Sequence, residues 1–493
     1  MARHDVVIRE VAIHDGTGAS PTIGDVAILA DRISGVGIMD GAGRETIDGR
    51  GLAVAPGFID VHTHDDFAAV LHPDLTFKVA GGVTTCIIGN CGMGVSPFPA
   101  ASRMAKTFHP RDVLPEWQGH AGYASHLDDA PPAANVGVLI GHGTVRLGAM
   151  GGKRAAPTAA DMAAMRAIVA EGIDAGALGL SSGLIYQPGC FAMPDELIDL
   201  AALFRGTGGL YATHMRDESL GLLDSVREAI AIGEAAGVPV QISHHKASGR
   251  AAWGRVRESL QLIDDARARG LAVRADQYPY TAGSTVLSAV FKDGRFESGL
   301  GSFDPEDIVV ASAPVHPAWE GRAIPAIAAM LGMRPAEAAA HVLDVEPEAT
   351  VVLHGMCEDD VQTVLRHPTT MIGSDGIPTL DGKPHPRLYG TFARVLGRYG
   401  RELGVLSIAE AVHRMTGLPA ETFGLDGRGV VRLGHFADLV LFDPATIVDR
   451  GSFEDPHVYP TGITAVFVNG VRVLAAGRPT GARPGRVLRR RGS

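Results

Sequence analysis

Pro56-Gly57-Phe58-Ile59-Asp60-Val61-His62-Thr63-His64-Asp65 reads as a short buried strand, from Phe58 to Val61, that ends in polar residues. Side chains two residues apart point to the same side of a strand, so His62 and His64 are expected to project together and bind one metal ion. A single histidine is more often an ordinary half-buried residue than a ligand. Two histidines at one strand end favour a metal site over an ordinary half-buried histidine, provided that other strands also end in metal-ligating residues.

The composition indicates a large globular protein without a nucleic-acid-binding surface. The chain has 493 residues, 46% of them hydrophobic, which is enough for a large core. A net charge of −11 and an aromatic content of 5% argue against nucleic-acid partners. The only basic run, Arg486 to Arg491, is interpreted as a solvated, frayed tail.

The sequence favours a reduced, cytoplasmic protein. Four cysteines are too few for a disulfide framework in a chain of this length. The N-terminus carries charges where a signal peptide needs an apolar run, and no apolar stretch approaches the roughly 20 residues of a membrane span. We therefore expect no membrane association.

Buried strands alternate with helices from Phe58 onward, which predicts an α/β fold of the (β/α)8 TIM-like barrel type. The clearest amphipathic helices are Ala159–Ala175 and Leu222–Ala236. An open doubly wound sheet would need a glycine-rich phosphate loop after its first strand, and here that strand ends in His-x-His. The eight predicted strands are Phe58–His64, Thr84–Asn90, Val136–His142, Ala177–Gly183, Leu210–Met215, Val238–His245, Leu271–Tyr280 and Thr370–Asp375.

Short strands at both chain ends predict a second, smaller unit. Residues 1–55 and 432–493 are expected to form a small β-sandwich domain beside a barrel of residues 56–431. Asn469-Gly470 is a strong hairpin signal within it. Residues 281–349, between the seventh and eighth strands, are too long for one crossover helix and are expected to form a lid over the C-terminal face of the barrel.

Metal-ligating side chains follow one predicted strand after another, as expected at the C-terminal face of a barrel. Imidazoles combined with a thiolate suit zinc, and a catalytic zinc keeps one position open. Cys91, within Gly89-Asn90-Cys91-Gly92, is the candidate thiolate, whereas Cys86 lies inside an apolar run and is interpreted as a core residue. The polar residues at the strand ends are His62, His64, Asp65, Asn90, Cys91, His142, His214, Arg216, His244, His245, Lys246, Asp276, Tyr278, Tyr280, Ser374 and Asp375.

Three further residues are candidates for proton transfer and substrate binding. Asp375 follows an apolar run, so its carboxylate is expected to be partly buried and to act as a general base; the alternative is an Asx turn before Gly376. Arg387 has the planar fork that binds a carboxylate in a bidentate manner, although a solvated surface arginine is also compatible. Lys246 is the third candidate, with an exposed lysine as the alternative.

These motifs resemble those of the N-acyl-D-amino-acid deacylases (D-aminoacylases) of the amidohydrolase superfamily, over nearly the whole chain. His-x-His is shared across the superfamily, whereas Gly-Asn-Cys-Gly and His-Pro-Arg are more specific to the deacylases. The matching segments are 56–66, 81–85, 89–92, 180–186, 213–216, 242–246, 276–280, 373–376 and 385–390.

The resemblance implies a tightly bound zinc ion and a substrate site around it. Cys91, His214 and His244 would hold this zinc, and His62 and His64 would line a second, weaker site that shares Cys91. Asp375 would be the catalytic acid and base, and Arg387 and Lys246 would bind the α-carboxylate. Tyr186, Tyr278 and Ser284 would be further substrate contacts. The implied reaction is hydrolysis of an N-acyl-D-amino acid to a carboxylate and a free D-amino acid.

Two alternatives stay open on the sequence. A cyclic-amide hydrolase of the dihydroorotase or hydantoinase type would share the barrel, but it would need a lysine at the end of the fourth strand, where Ala177–Gly183 has none. A catalytically silent barrel that serves as a binding protein would be expected to lose ligand positions. The preferred substrate side chain is also open, since Lys292 and Arg295 could meet an acidic group or be exposed loop charges.

Overall fold

The computed structural model of the chain describes residues 4–490 and begins in a β sheet. Five strands come first; the first, second and fifth are mostly buried, whereas the third and fourth are mostly half-buried or exposed. They are β1 (His4–Ile13), β2 (Thr22–Leu29), β3 (Arg32–Gly37), β4 (Gly43–Asp48) and β5 (Ala53–Pro56).

The central body is a parallel sheet of eight strands that curls into a nearly closed barrel. All eight predicted barrel strands are present, in the predicted order, and each pairs with the next. The elements as far as the seventh strand are β6 (Phe58–Asp60), α1 (Ala68–Leu71), α2 (Thr76–Val79), β7 (Val83–Ile88), α3 (Phe98–Ala105), α4 (Gly119–Asp129), β8 (Asn135–Gly141), α5 (His142–Met150), α6 (Ala159–Asp174), β9 (Gly179–Gly183), α7 (Pro194–Ala201), β10 (Leu210–His214), α8 (Leu222–Ala236), β11 (Val240–Ile242), α9 (Val256–Ala268) and β12 (Val273–Gln277).

An α/β insertion follows β12 and lines the cavity at the C-terminal end of the barrel. It contains a small antiparallel sheet in the order β13-β17-β16, in which the last strand in sequence lies in the middle. Its elements are β13 (Gly283–Val286), α10 (Leu287–Val290), β14 (Glu297–Ser298), β15 (Gly301–Ser302), β16 (Ile308–Ser312), α11 (Ile324–Leu331), α12 (Pro335–Val345) and β17 (Thr350–Leu353).

The eighth barrel strand is followed by helices and a return to the first sheet. β19 pairs with β5, so strands from both chain ends share one nine-stranded sheet, and Asn469-Gly470 connects β20 to β21 as predicted. These elements are α13 (Glu358–Arg366), β18 (Thr370–Ile372), α14 (Arg387–Arg394), a π-helical segment (Val395–Glu402), α15 (Ile408–Met415), α16 (Gly417–Phe423), β19 (Leu439–Phe442), β20 (Ile463–Val468), β21 (Val471–Ala475), β22 (Arg478–Pro479) and β23 (Val487–Leu488).

The interpretation of the basic C-terminal run as a frayed tail is wrong for its described part, residues 486–490. β23 pairs in parallel with β8. The Val136 amide donates to the carbonyl oxygen of Arg486 at 2.9 Å, and the Arg490 amide donates to that of Gly176 at 2.9 Å. The apolar pair Val487–Leu488 interrupts the run of arginines and makes it a strand. Arg491 lies outside the described residues.

β6 and β18, the first and last barrel strands, do not pair as a ladder of backbone hydrogen bonds. Polar side chains join them instead. Buried Lys78 donates from Nζ to Asp60 Oδ2 at 2.8 Å, to Thr63 Oγ1 at 2.8 Å and to Ser374 Oγ at 2.9 Å. The Asp375 amide then donates to the carbonyl oxygen of His62 at 2.6 Å. Charge-assisted hydrogen bonds therefore hold the two strand ends together. Among the described residues, no helix is long and apolar enough to cross a membrane.

Candidate metal centre and active site

Three histidines converge on Cys91 at the C-terminal end of the barrel, which makes a set of four potential metal ligands. Cys91 Sγ lies 3.3 Å from His62 Nε2, 3.5 Å from His244 Nε2 and 3.7 Å from His214 Nδ1. All four side chains are buried. A sulfur and a nitrogen bound tetrahedrally to one zinc, at about 2.3 Å and 2.0–2.1 Å, lie about 3.5–3.6 Å apart, so the three sulfur–nitrogen distances fit zinc. His62, Cys91 and His244 bring their donor atoms within 4.8 Å of one another, whereas His214 forms such a group with Glu218 and His244.

The electrostatics of the cluster favour a thiolate. Burial opposes ionisation of Cys91, but the positive charges of His62 and His244, with hydrogen bonds from His214 and His244, outweigh it, so the pKa of Cys91 lies well below its usual range. The thiolate is the form of cysteine that binds metals.

The backbone at the cluster is strained. Cys91, His244 and Asp375 have positive φ angles of 54°, 36° and 49°. Non-glycine residues in this region cost of order 1–3 kcal/mol each and persist where surrounding structure holds them. Gly89 makes the turn into Cys91 possible, because a Cβ atom there would lie 2.0 Å from the carbonyl oxygen of Leu139.

His62 and His64 converge, but not for the reason that the sequence indicated. β6 ends at Asp60, so both histidines lie beyond the strand, and the expectation that strand alternation aligns them is wrong. The His64 amide instead donates to the carbonyl oxygen of Gly376 at 3.1 Å, which ties this segment to the end of the eighth strand. The two rings lie 5.7 Å apart between centroids.

Asp375 lies between the histidines and Arg387. Its Oδ1 is 3.2 Å from His64 Nε2 and 3.5 Å from His62 Nε2, and its Oδ2 is 2.9 Å from Arg387 Nη1. Burial opposes its ionisation, but the charge of Arg387 and the hydrogen bond from His64 hold the pKa of Asp375 well below the usual range. The carboxylate is therefore ionised and available to accept a proton.

Arg387 is a buried arginine, not a solvated one. Its guanidinium lies 4.4 Å from the centroid of the Tyr278 ring, and its Nη2 donates to the carbonyl oxygen of Ser284 at 3.2 Å. Its Nε makes no hydrogen bond within residues 4–490, which leaves a buried donor for a bound anion. Tyr186 donates to or accepts from Thr285 Oγ1 at 2.9 Å, and its ring lies 4.8 Å from that of His214.

Glu218 belongs to the site and was not predicted from the sequence. Its fully buried carboxylate lies 3.0 Å from His244 Nδ1 and accepts from Lys246 Nζ at 2.7 Å. For His244 Nε2 to bind a metal ion beside Cys91, the ring proton must be on Nδ1, where Glu218 can accept it; Lys246 Nζ lies 2.9 Å from the same nitrogen. The one feature of the sequence that could have identified Glu218 is its position four residues after His214. That segment is a loop, and a loop has no periodicity from which the direction of a side chain can be predicted.

Asp276 lies beside His62, another histidine of the Cys91 cluster. It lies 3.3 Å from His62 Nδ1, accepts from the backbone amide of His244 at 2.9 Å, and accepts from Gln241 Nε2 at 2.6 Å. The sequence placed Asp276 at the end of the seventh strand without a role. Lys246, predicted as a carboxylate ligand, has Glu218 as its partner in the protein.

A cavity of about 550 Å³ opens onto this cluster. His62 and Arg387 lie behind its wall, with exposed fractions of 0% and 1%. Lys292 lines the cavity and is exposed, whereas Arg295 is not part of the lining. The predicted site residues that line it are His64, Cys91, Tyr186, His214, His244, Lys246, Tyr278, Ser284 and Asp375.

Comparison with known proteins gives consistent matches. A model of the amidohydrolase family matches residues 45–264 and 252–474. The chain is 40% identical to a D-aminoacylase of Alcaligenes xylosoxydans xylosoxydans over 99% of this chain and 98% of that one. From the same organism, it is 38% identical to an N-acyl-D-glutamate deacylase, with coverages of 99% and 96%. It is also 40% identical to that organism's N-acyl-D-aspartate deacylase, with coverages of 99% and 95%.

A solved structure shows the same fold over the whole chain. It is an N-acyl-D-glutamate deacylase from Bordetella bronchiseptica, complexed with zinc and a phosphonate inhibitor that mimics the tetrahedral intermediate. It has a TM-score of 0.89 at 38% identity and covers 99% of each chain.

Proposed function

Since this chain belongs to the amidohydrolase family, we propose that it is a zinc-dependent hydrolase of N-acyl-D-amino acids, releasing a carboxylate and a free D-amino acid. The observation that carries this proposal is the Cys91 cluster, in which three imidazole nitrogens lie 3.3–3.7 Å from one thiolate. β9 ends at Gly183 with no lysine, which disfavours the cyclic-amide alternative.

The contacts around Cys91 support the following assignment of metal ligands. Cys91, His214 and His244 would hold a tightly bound zinc, and His62 and His64 would line a second, weaker site beside Cys91. When bound, zinc would act as a Lewis acid on the amide carbonyl and on water.

Asp375 is the proton carrier in this proposal. As an ionised carboxylate at the wall of the cavity, it would take a proton from the attacking water. It would then give that proton to the nitrogen of the leaving amine, since the amine leaves only when protonated. Its ion pair with Arg387 keeps the carboxylate turned toward the cluster.

The α-carboxylate of the substrate would bind to Lys246, which lines the cavity, and to Arg387, which lies behind the cavity wall beside Tyr278. Both cations approach the Tyr278 ring, at 5.9 Å and 4.4 Å from its centroid. Ser284 fixes Arg387 through its carbonyl oxygen, and Tyr186 would contact the substrate from the insertion side. Anchoring the carboxylate places the amide at the metal ligands, which is how positioning lowers the barrier.

The test is hydrolysis of matched N-acetyl-D- and N-acetyl-L-amino acids (Met, Leu, Glu and Asp) by zinc-loaded protein. We expect release of free amine from D substrates only. Comparable release from the L series would contradict the assignment of stereochemistry. No release from either series, with zinc bound, would contradict the proposed reaction and direct attention to cyclic amides.

A further inference from the structure

We propose that an apolar wall formed by Met93, Met104, Phe108 and Leu147 is the subsite for the acyl chain, and that it favours acyl groups longer than acetyl. The inference rests on the proposed deacylase function and deepens it.

The order of the barrel strands places this wall opposite the carboxylate-binding side. Met93, Met104 and Phe108 follow β7, the second barrel strand, and Leu147 lies in α5, directly after the third. The cations proposed for the substrate carboxylate follow the sixth and eighth strands, and Tyr278 follows the seventh. In a barrel of eight consecutive parallel strands, the second and third lie across from the sixth and seventh.

The shape of the substrate connects the two sides. A trans amide places the acyl substituent and the α-carbon on opposite sides of the C–N bond. With the carboxylate at Lys246 and Arg387 and the carbonyl at the Cys91 cluster, the acyl chain must extend toward the second and third strands. The apolar wall lies there.

The wall touches the candidate metal centre. The ring of Phe108 lies 5.5 Å from that of His64 between centroids. Met104 accepts a hydrogen bond at Sδ from Thr144 Oγ1 at 3.2 Å, which fixes α3 against α5. An acyl chain bound at the carbonyl carbon would therefore meet these apolar side chains directly.

The burial of the wall suits an apolar ligand. Met93, Met104, Phe108 and Leu147 are all half-buried, and all four line the cavity. Half-buried apolar side chains gain free energy when a ligand removes their remaining surface from water. The only charged residue of α3 is Arg103, which is exposed and also lines the cavity beside Met104.

The available space is greater than an acetyl group needs. The cavity of about 550 Å³ is within the range of sites for drug-sized ligands. His64, Met93, Met104 and Phe108 also line a second pocket of about 20 Å³, whose lining includes Phe67, Ala101 and Ala105 and the polar Asp66 and His109. The space for a longer acyl chain is therefore that of the main cavity beside the apolar wall.

The experiment compares N-acetyl-, N-butanoyl- and N-hexanoyl-D-methionine as substrates of the zinc-loaded full-length protein. We expect kcat/KM to rise by up to about fourfold for each added methylene group that becomes buried. Hexanoate should inhibit competitively at lower concentration than acetate, which reports binding without turnover. Met104→Gln and Leu147→Asn replace apolar side chains by polar ones of similar length, and each should reduce the hexanoyl-to-acetyl ratio. Leu300→Ala, on the insertion side of the same cavity, should leave that ratio unchanged.

The outcomes separate the two proposals. Hydrolysis of N-acetyl-D-methionine with a flat or falling acyl series, and equal inhibition by hexanoate and acetate, would overturn the acyl subsite while the deacylase function stands. No hydrolysis of any member of the series would overturn both. If the two polar variants fail to fold, the acyl series and the inhibition by hexanoate and acetate, both measured on the native protein, still test the acyl subsite.

Discussion

Asp375 combines three features of a catalytic carboxylate: a strained backbone, a buried cation beside it and two imidazoles within 3.5 Å. Its neighbours hold the carboxylate ionised, which is the state needed to accept a proton. Asp375 groups with His62 and His64 and not with His214 or His244, so its loss should affect proton transfer more than retention of the tight metal.

Replacing Asp375 with Asn should lower kcat by about 10²–10⁴-fold, because general acid–base catalysis is typically worth that much. Zinc content, measured by atomic absorption after gel filtration, should be nearly unchanged. Asp381→Asn is the control, since Asp381 is exposed in the loop that follows. A kcat for Asp375→Asn within tenfold of the native value would show that another group carries the proton.

Glu218 connects metal binding to substrate binding. It holds His244, a proposed zinc ligand, and Lys246, a proposed carboxylate ligand, with one carboxylate. Its backbone amide donates to the carbonyl oxygen of Gly299 at 2.7 Å, which also fixes the insertion.

Glu218→Gln should weaken zinc affinity by about 10–100-fold, because partners that orient a ligating histidine are typically worth that much. KM should also rise, since Lys246 loses its anionic partner. Competition with a chromophoric chelator measures the affinity. Glu234→Gln, at an exposed position of α8, is the control. Zinc affinity equal to that of the control would rule out a positioning role for Glu218.

At the scale of elements, α4 depends on a carboxylate from another helix. No side chain caps its N-terminus locally, and Glu171 of α6 accepts from the backbone amides of His120 and Ala121 at 3.0 Å each. Partial burial opposes ionisation, but these bonds and the His120 ring lower the pKa of Glu171 to about 2.

This lowered pKa predicts a pH dependence. A carboxyl whose folded pKa is below its unfolded value contributes stability that is complete above about pH 4.5 and is lost as the pH falls toward 2. Glu171→Gln should therefore lower the free energy of unfolding at pH 7 by about 0.5–2 kcal/mol, toward the lower value because the carboxylate is partly exposed.

Urea unfolding of the native protein and Glu171→Gln between pH 7 and pH 3 measures this effect. The difference between the two should shrink as the pH falls. Glu337→Gln is the control for an exposed carboxylate that caps its own helix, α12. A difference for Glu171→Gln that stays constant over this range would contradict the cross-helix cap.

At the scale of the whole molecule, the C-terminal segment attaches the outer sheet to the barrel. Asn469, in the hairpin of the outer sheet, donates from Nδ2 to Asn135 Oδ1 at the start of β8, at 2.8 Å. The Gly485 amide donates to the carbonyl oxygen of Pro132 at 2.8 Å, and β23 then pairs with β8. Residues 135, 469 and 485 thus form one buried junction.

Deleting residues 484–493 should lower the free energy of unfolding by about 1.5–4.5 kcal/mol, since three backbone hydrogen bonds at roughly 0.5–1.5 kcal/mol each are lost. Thermal unfolding of the zinc-loaded protein should show a lower Tm. Arg489→Gln, which removes a half-exposed ion pair with Asp128, should change the stability by about 1 kcal/mol or less. An unchanged Tm after the deletion would support the frayed-tail interpretation instead.

The sequence by itself determined the barrel, its strand order and the identity of Cys91 as the thiol of interest. Strand and helix periodicity depend on neighbouring residues, and so does the contrast between Cys91 among glycines and Cys86 in an apolar run. The similar proteins confirm the barrel fold and the family that the local motifs indicated. The roles of the individual site residues stay predictions.

Only the tertiary structure determined which residues Glu218, Lys78 and the C-terminal strand contact. Their partners are remote in sequence: Ser374 is 296 residues from Lys78, and β8 lies far from β23. Whether a charged residue is solvated or buried depends on what covers it after folding, and an unpaired buried charge is too costly to persist. Local sequence patterns carry no information about those partners. For this reason Glu218 was not predicted as a site residue, and the basic C-terminal run was interpreted as a solvated tail.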